Sequence, residues 1–142
     1  MAASEIYSET RKGNIHDSII EKIQPMHNDM AKHIANQRQR LGCNMAVARA
    51  LFTRKQRESL LKIVGPDLIF IVLNLTKNCI KKRLKERHGD SLNEALIGVM
   101  IKMSDMCEPA GVDEKNAYNV YITEDMTPDD VVQEITSIIE KM

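Results

Sequence analysis

The stretch from residue 69 to residue 90 constrains the fold more than any other part of the chain. Residues 69–73 are Ile, Phe, Ile, Val and Leu, an apolar run typical of a strand buried on both faces in a parallel sheet. Thr76 then stands where a helix N-cap is expected, and residues 77–87 predict a basic helix that Gly89 ends. The sequence therefore predicts a parallel α/β unit with a basic helix directly after its central strand.

The rest of the pattern alternates between helix and strand. We predict helices over residues 15–23, 26–40, 54–63, 77–87, 91–107 and from 128 onward, and strands over 45–52, 68–73 and 118–122. Pro25 is expected to interrupt the first helical stretch, and Thr127 is expected to cap the last helix, with Pro128 at its first position. This alternation requires a parallel sheet with right-handed crossovers. We predict a single domain over residues 1–142, with residues 1–14 irregular.

Composition argues against several functional classes. The chain has 20 Lys and Arg and 20 Asp and Glu, a net charge of zero that gives no global attraction to nucleic acid or membrane. Trp is absent and aromatic residues make up 4% of the chain, which argues against base-stacking surfaces. No apolar run has the length of a membrane span, and the first residues are polar. We expect a cytoplasmic protein with neither a nucleic-acid nor a membrane partner.

Cysteine and histidine form no recognisable metal or nucleophile motif. Cys43, Cys79 and Cys107 contain no C-x-x-C pair and are interpreted as reduced structural thiols. His27 and His33 are six residues apart, which places them off any shared helical face. The sequence therefore predicts no metal site.

Three further segments carry a pattern of their own. They are ALFTRKQRESLL at residues 50–61, the strand and basic helix over residues 70–90, and Glu108–Pro109 with Asp113–Glu114, followed by the last strand over 118–122 and the TPDDVV helix start at residues 127–132. In this order they resemble the gluconate-kinase-like branch of the P-loop small-molecule kinases. The resemblance covers residues 45–142. It implies an α/β fold of three or four mainly parallel strands flanked by helices, with ATP and magnesium as cofactors.

The resemblance also implies a set of site residues. They are Arg54 and Arg57 on the acceptor-substrate side, Arg83 and Arg87 as catalytic lid arginines over the phosphates, and Pro109 in the loop against the nucleotide base. Guanidinium groups suit the lid position because they stabilise charge spread over transferring oxygens. Thr53 stands where the family usually has Lys, which leaves the acceptor open. The implied partner is a small anionic ligand or a nucleotide.

The N-terminal phosphate-binding unit of that family is missing from this sequence. The unit is a strand, a G-x-x-x-x-G-K-[ST] loop and a helix, and none of the six glycines stands in such a loop. In the resembled fold the missing strand lies between the strands matching 45–52 and 68–73. Those two strands then lack a neighbour. Direct pairing, residues 4–9 and a second chain remain open as ways to fill the gap.

Three functional hypotheses follow. The first is a truncated or degenerate relative of an ATP-dependent sugar-acid or nucleotide kinase that binds nucleotide or anion weakly, with negligible turnover because the parts that hold the phosphates are missing. The second is a non-catalytic interaction or oligomerisation domain, associating through strand edges or the Met-rich helix of Met100, Met103 and Met106. The third is part of an enzyme whose N-terminus comes from a longer transcript. Whether the chain is an enzyme stays open. We expect a homodimer, since the two apolar strands need partners.

Overall fold

The computed structural model describes residues 17–49 and 53–142, and in these residues five helices flank a two-stranded parallel sheet. The elements in chain order are α1 (Asp17–Leu41), α2 (Arg54–Val64), β1 (Phe70–Leu75), α3 (Lys77–His88), α4 (Glu94–Asp105), β2 (Ala117–Ile122) and α5 (Pro128–Glu140). A 3-10 turn, Gly89–Ser91, joins α3 to α4. The predicted α/β class is confirmed.

The sheet pairs β1 with β2 in parallel, with Phe70 opposite Ala117 and Leu75 opposite Ile122. Hydrogen bonds from the Phe70 N–H to the Asn116 carbonyl (2.7 Å) and from the Thr76 N–H to the Ile122 carbonyl (3.3 Å) lie at the two ends of this ladder. A parallel pair needs a crossover, and α3 and α4 supply it. The predicted strands 68–73 and 118–122 are confirmed, with bounds that differ by two residues or fewer.

The strand predicted over residues 45–52 is not found in its described part. Residues 45–49 have no regular secondary structure and are largely exposed, while residues 50–52 lie outside the described residues. The physical reason is composition: Met45 and Val47 alternate with Ala46 and Ala48, and alanine has little β-propensity and little side chain to pack on a sheet. Among the described residues the sheet therefore has two strands.

Local capping chemistry sets the helix ends near the sheet. The Thr76 hydroxyl accepts the Cys79 N–H (3.1 Å) at the start of α3, and Gly89 ends that helix with φ +53°, a left-handed value that glycine tolerates. Thr127 and Asp130 form a capping box at α5, with Pro128 in the first turn. These three signals were all predicted from sequence and are confirmed.

Two helix predictions differ from the structure. Pro25 does not interrupt α1, which continues through it from Asp17 to Leu41; a proline removes one hydrogen bond, and here the helix bridges that loss. The helix predicted over 91–107 is shorter, because Asn93 accepts the Leu96 N–H (2.7 Å) as the actual N-cap. The 3-10 turn occupies the residues before it.

The core lies where β2 meets α3 and α5. Its four best-buried members are Cys79, Val120, Ile122 and Val131, and partly buried Ile71, Leu75, Met126, Ile135 and Ile138 pack against them. Met100 and Met103 of α4, and Met106 directly after it, are half-buried. Within the described residues, none of the helices is both long and apolar enough to cross a bilayer.

Candidate functional site

The first turn of α2 and the loop of residues 106–116, here called the connecting loop, lie side by side. Thr53 caps α2 and forms a capping box with Gln56, which places Arg54 and Arg57 one turn apart on the helix. The Glu108 carboxylate accepts the Arg54 N–H (3.0 Å) at the positive end of the helix dipole. At the other end of the loop, the Asn116 amide donates to the Pro66 carbonyl (2.9 Å). The connecting loop thus follows α2 from one end to the other.

Arg54 is held by two carboxylates. Its Nη1 and Nη2 atoms donate to the two Asp113 oxygens (3.0 and 3.2 Å), and its Nε donates to Glu58 (2.8 Å). These hydrogen bonds raise the pKa of Arg54, the bond to Asp113 contributing most, and the same bond lowers the pKa of Asp113. The Arg54 side chain is partly exposed and Asp113 is well exposed, so water screens this pair.

Arg57 forms the buried counterpart of that pair. Its Nε and Nη2 donate to the two Glu114 oxygens (2.7 and 2.9 Å), and its Nη1 donates to the Glu108 carbonyl (2.9 Å). The Arg57 and Glu114 side chains are 2% and 4% exposed. The Arg57 hydrogen bond lowers the pKa of Glu114. Arg57 therefore ties the connecting loop to α2, and its side chain is almost wholly buried by these contacts.

Asn119 fastens the connecting loop to the sheet. Its side-chain amide accepts the Ala110 N–H (2.8 Å) and donates to the Ala110 carbonyl (2.8 Å), much as a backbone segment would. Asn74, in the neighbouring strand, donates to the same Asn119 oxygen (3.0 Å). Sequence reasoning assigned no role to Asn119, although a lone amide within the apolar pattern of β2 is a signal that could have found it.

A cleft of about 230 Å³ opens between α2, the start of β1 and the connecting loop. Its walls are charged (Arg54, Arg57, Glu58, Asp113, Glu114 and Lys115), and Leu61 and Phe70 supply its apolar part. The walls carry three cations and three carboxylates. The cleft therefore presents no net positive charge to an anion, because each arginine already has a carboxylate within 3 Å.

Arg83 and Arg87, the predicted lid arginines, lie on α3 and are not among the residues that line the cleft. The buried residues of α3 are Cys79, Ile80 and Leu84. Arg83 follows the first two by one turn, and Arg87 follows Arg83 by another, so both arginines lie on the side of the helix that carries its buried residues. Arg83 is half-buried and Arg87 is exposed. Across the described residues, neither side chain has a hydrogen-bond or ion-pair partner.

The other cations of α3 are engaged or face outward. Lys77 pairs with Asp105 (3.6 Å) and Lys82 donates to the Glu124 carbonyl (2.8 Å). Lys81 and Lys85 are exposed on the side of the helix away from the buried stripe. The structure thus separates the five predicted site residues into Arg54 and Arg57 beside the cleft, Arg83 and Arg87 on α3, and Pro109, which is exposed in the connecting loop.

Metal-binding side chains are not clustered in this part of the chain. Within residues 17–49 and 53–142, no group of three His, Cys, Asp or Glu is placed to hold a metal ion. His27 is buried in α1, and burial lowers its pKa. Cys107 donates to the Met103 carbonyl (3.4 Å), and burial raises the pKa of its thiol.

Comparison with known proteins adds no relative to this description. No family model, no curated protein and no solved structure matches the chain. The kinase resemblance therefore stays a prediction.

Acid should weaken the attachment of the connecting loop. The folded-state pKa of Glu114 lies below its unfolded value, which is about 4.3. Its contribution to stability is therefore present above that value and is lost as pH falls through the folded pKa. We expect the free energy of unfolding to change little from neutrality down to about pH 5 and to fall below about pH 4.

Urea unfolding followed across that range by far-ultraviolet circular dichroism checks this expectation. Glu114→Gln should show a shallower acid loss than the parent chain, whereas Asp113→Asn, which alters the exposed pair, should retain most of it. An acid loss of the same steepness in Glu114→Gln would assign the effect to other carboxylates.

Proposed function

We propose that the chain is a degenerate relative of the small-molecule kinases that binds a phosphate-bearing anion weakly through Arg83 and Arg87 and does not transfer phosphoryl groups. The observation that carries this proposal is the position of the two arginines. They lie on the side of α3 that carries the buried residues Cys79, Ile80 and Leu84, and among the described residues no carboxylate forms an ion pair with either of them. Guanidinium groups in such a position match the oxygens of a phosphate.

The arrangement of β1, β2 and the helices between and after them also supports a relation to these kinases. We propose that β1 and β2 are the remaining neighbours of a mainly parallel sheet with the order of the P-loop kinases minus the first strand. The support is the parallel direction of β1 and β2 and the helices that connect and follow them. Because β1 and β2 are parallel neighbours, the chain between them must cross over one face of the sheet. The same connection occurs in the resembled fold.

The charge balance favours α3 over the cleft as the place where the anion binds. Arg54 and Arg57 already hold Asp113 and Glu114, so an anion would have to displace a carboxylate before it could bind there. Displacing the buried Glu114 would leave an unpaired charge in the protein, which costs several kcal/mol. Arg83 and Arg87 require no such exchange.

A magnesium–triphosphate group does not fit the strand-to-helix junctions of the described chain. Phosphates bind where the first N–H groups of a helix are free. After β1, the Thr76 hydroxyl already accepts the Cys79 N–H. After β2, Thr127 and Asp130 cap each other, and two aspartates in the first turn of α5 would repel phosphate. We therefore propose anion binding without catalysis, with a dissociation constant in the roughly millimolar range.

Titration calorimetry at low ionic strength tests this proposal. The probes are inorganic pyrophosphate, ADP and ATP, each with and without magnesium. We expect all three to bind, with ATP in the roughly millimolar range, and Arg87→Ala to weaken ATP binding about fivefold or more, because a charge-assisted hydrogen bond is lost. Binding of the nucleotides but not of pyrophosphate would show that a base site contributes.

Lys85→Ala is the matched control, since Lys85 is also a cation in the last turn of α3 but faces outward. We expect it to weaken binding less than about twofold, as for one screened surface charge. Equal losses of ATP affinity in both variants would mean that the overall positive charge of α3 attracts the anion and that Arg87 has no specific role. ADP release from ATP above background that disappears in Arg87→Ala would contradict the absence of catalysis.

A further inference from the structure

The sequence of β1 does not match its position in the sheet. All but one of its residues are apolar (Phe70, Ile71, Val72, Leu73 and Leu75), a composition typical of an interior strand of a parallel sheet with both faces covered. In the described residues, however, β1 pairs on one side alone. β2 differs: Val120 and Ile122 are buried on one face, while Tyr121 on the other face is 62% exposed, as in a strand with one largely solvated face. β1 is therefore the strand whose composition does not match its place at the edge of the sheet.

The ladder geometry identifies the backbone groups on that free side. The Phe70 N–H bonds to the Asn116 carbonyl, just before β2, and the Thr76 N–H bonds to the Ile122 carbonyl, at the end of β2. Since backbone groups alternate in direction along a strand, the even-numbered residues of β1 direct their N–H and C=O groups toward β2. Ile71, Leu73 and Leu75 therefore direct theirs to the outer edge. Among the described residues these outer groups have no backbone partner.

That edge also lacks the usual protection. Edge strands of soluble proteins carry charges, prolines or bulges that prevent pairing with another chain. The six residues of β1 include no charge and no proline, and the Leu73 side chain is 45% exposed. A net charge of zero means that two copies of the chain do not repel each other over a distance.

Segments of the same chain are poor candidates to cover it. Residues 45–49 run outside the sheet, and the three residues 50–52 that follow are too few to pair with a six-residue strand. Residues 1–14 are rich in polar and charged residues, with Ile6 and Tyr7 as their adjacent strand-forming pair. A second copy of the chain, in contrast, offers an identical apolar edge.

We infer that two copies of the chain pair through the outer edges of β1 and so form a continuous four-stranded sheet. A two-fold axis makes the two β1 strands antiparallel. The register that uses all three outward residues places Leu73 opposite Leu73 of the other copy, with Ile71 opposite Leu75 on each side. This inference does not depend on anion binding by α3.

Amide hydrogen exchange, measured residue by residue at low and at high micromolar concentration beside sedimentation velocity, tests the pairing. We expect a dimer at the higher concentration and a monomer at the lower. The amides of Ile71, Leu73 and Leu75 should be protected in the dimer alone, whereas those of Val72 and Asn74, which face β2, should be protected in both. Outer amides that stay protected in the monomer would mean that a segment of the same chain covers the edge.

Leu73→Lys gives a second measurement. Two lysines would then face each other across the axis, and because the change occurs in both copies we expect the dimer dissociation constant to rise about tenfold. Tyr121→Lys is the matched control, since Tyr121 is an exposed residue of β2, and it should leave the constant unchanged. Protection at Val72 and Asn74 reports that each variant is folded. A monomer at all concentrations, or a dimer with exchanging outer amides, would overturn the inference.

Discussion

Replacing Arg57 by alanine should lower the free energy of unfolding by about 3–5 kcal/mol, the largest effect that we expect from any single charged residue of this chain. The substitution leaves the Glu114 carboxylate, 4% exposed, without its counter-ion, and it removes the donor to the Glu108 carbonyl. Urea unfolding at neutral pH, followed by circular dichroism, measures the loss.

Arg54→Ala is the control that separates burial from charge. The Arg54 side chain makes three carboxylate hydrogen bonds and that of Arg57 two, but the Arg54 pairs are exposed, so we expect a far smaller loss than for Arg57→Ala. The double variant Arg57→Met, Glu114→Leu should recover most of the stability that Arg57→Ala loses, because apolar residues of similar volume can replace a buried ion pair. Equal losses in Arg54→Ala and Arg57→Ala would contradict the buried-pair account.

The second large effect should come from Ile122. It is 1% exposed at the centre of the contact between β2, α3 and α5, and Ile122→Ala should lower the free energy of unfolding by about 2–5 kcal/mol through lost burial and an unfilled cavity. Thermal or urea unfolding measures the change.

Ile139→Ala provides the comparison on α5. Ile139 is 54% exposed, and we expect its truncation to cost less than about 1 kcal/mol, because little apolar area returns to water. A cost for Ile122→Ala as small as that for Ile139→Ala would mean that the cluster around Cys79 and Val131 does not stabilise the fold.

The elements that sequence predicted well are those with local signals. β1 followed from an uninterrupted apolar run, the start of α3 from Thr76, its end from Gly89, and the start of α5 from Thr127 and Pro128. Each of these signals acts within a few residues of itself. The strand predicted over 45–52 failed in its described part, because a short apolar run rich in alanine has no such support.

The site could be predicted less well, because its contacts are remote in sequence. Basic residues in α2 and acidic residues in the connecting loop were both evident, but Arg57 and Glu114 are 57 residues apart, and nothing local indicates that they pair. The resemblance alone placed Arg57 on the substrate side. In the structure, its guanidinium is bound to Glu114 and its side chain is buried. The position of Arg83 and Arg87 on the same side of α3 as its buried residues, in contrast, follows from helical periodicity once those buried residues are known.

The parallel pairing of β1 with β2 also has a consequence for biosynthesis. Phe70 pairs with Ala117, 47 positions later, and at typical translation rates those residues take about 2–9 s to make. Throughout that interval the apolar β1 has been synthesised but its partner strand has not, and loop closure over so long a segment cannot begin. The nascent chain therefore passes through a stage in which β1 is open to chaperones and to other nascent chains. Ribosome-bound intermediates that end before residue 117 should be the ones that chaperones retain.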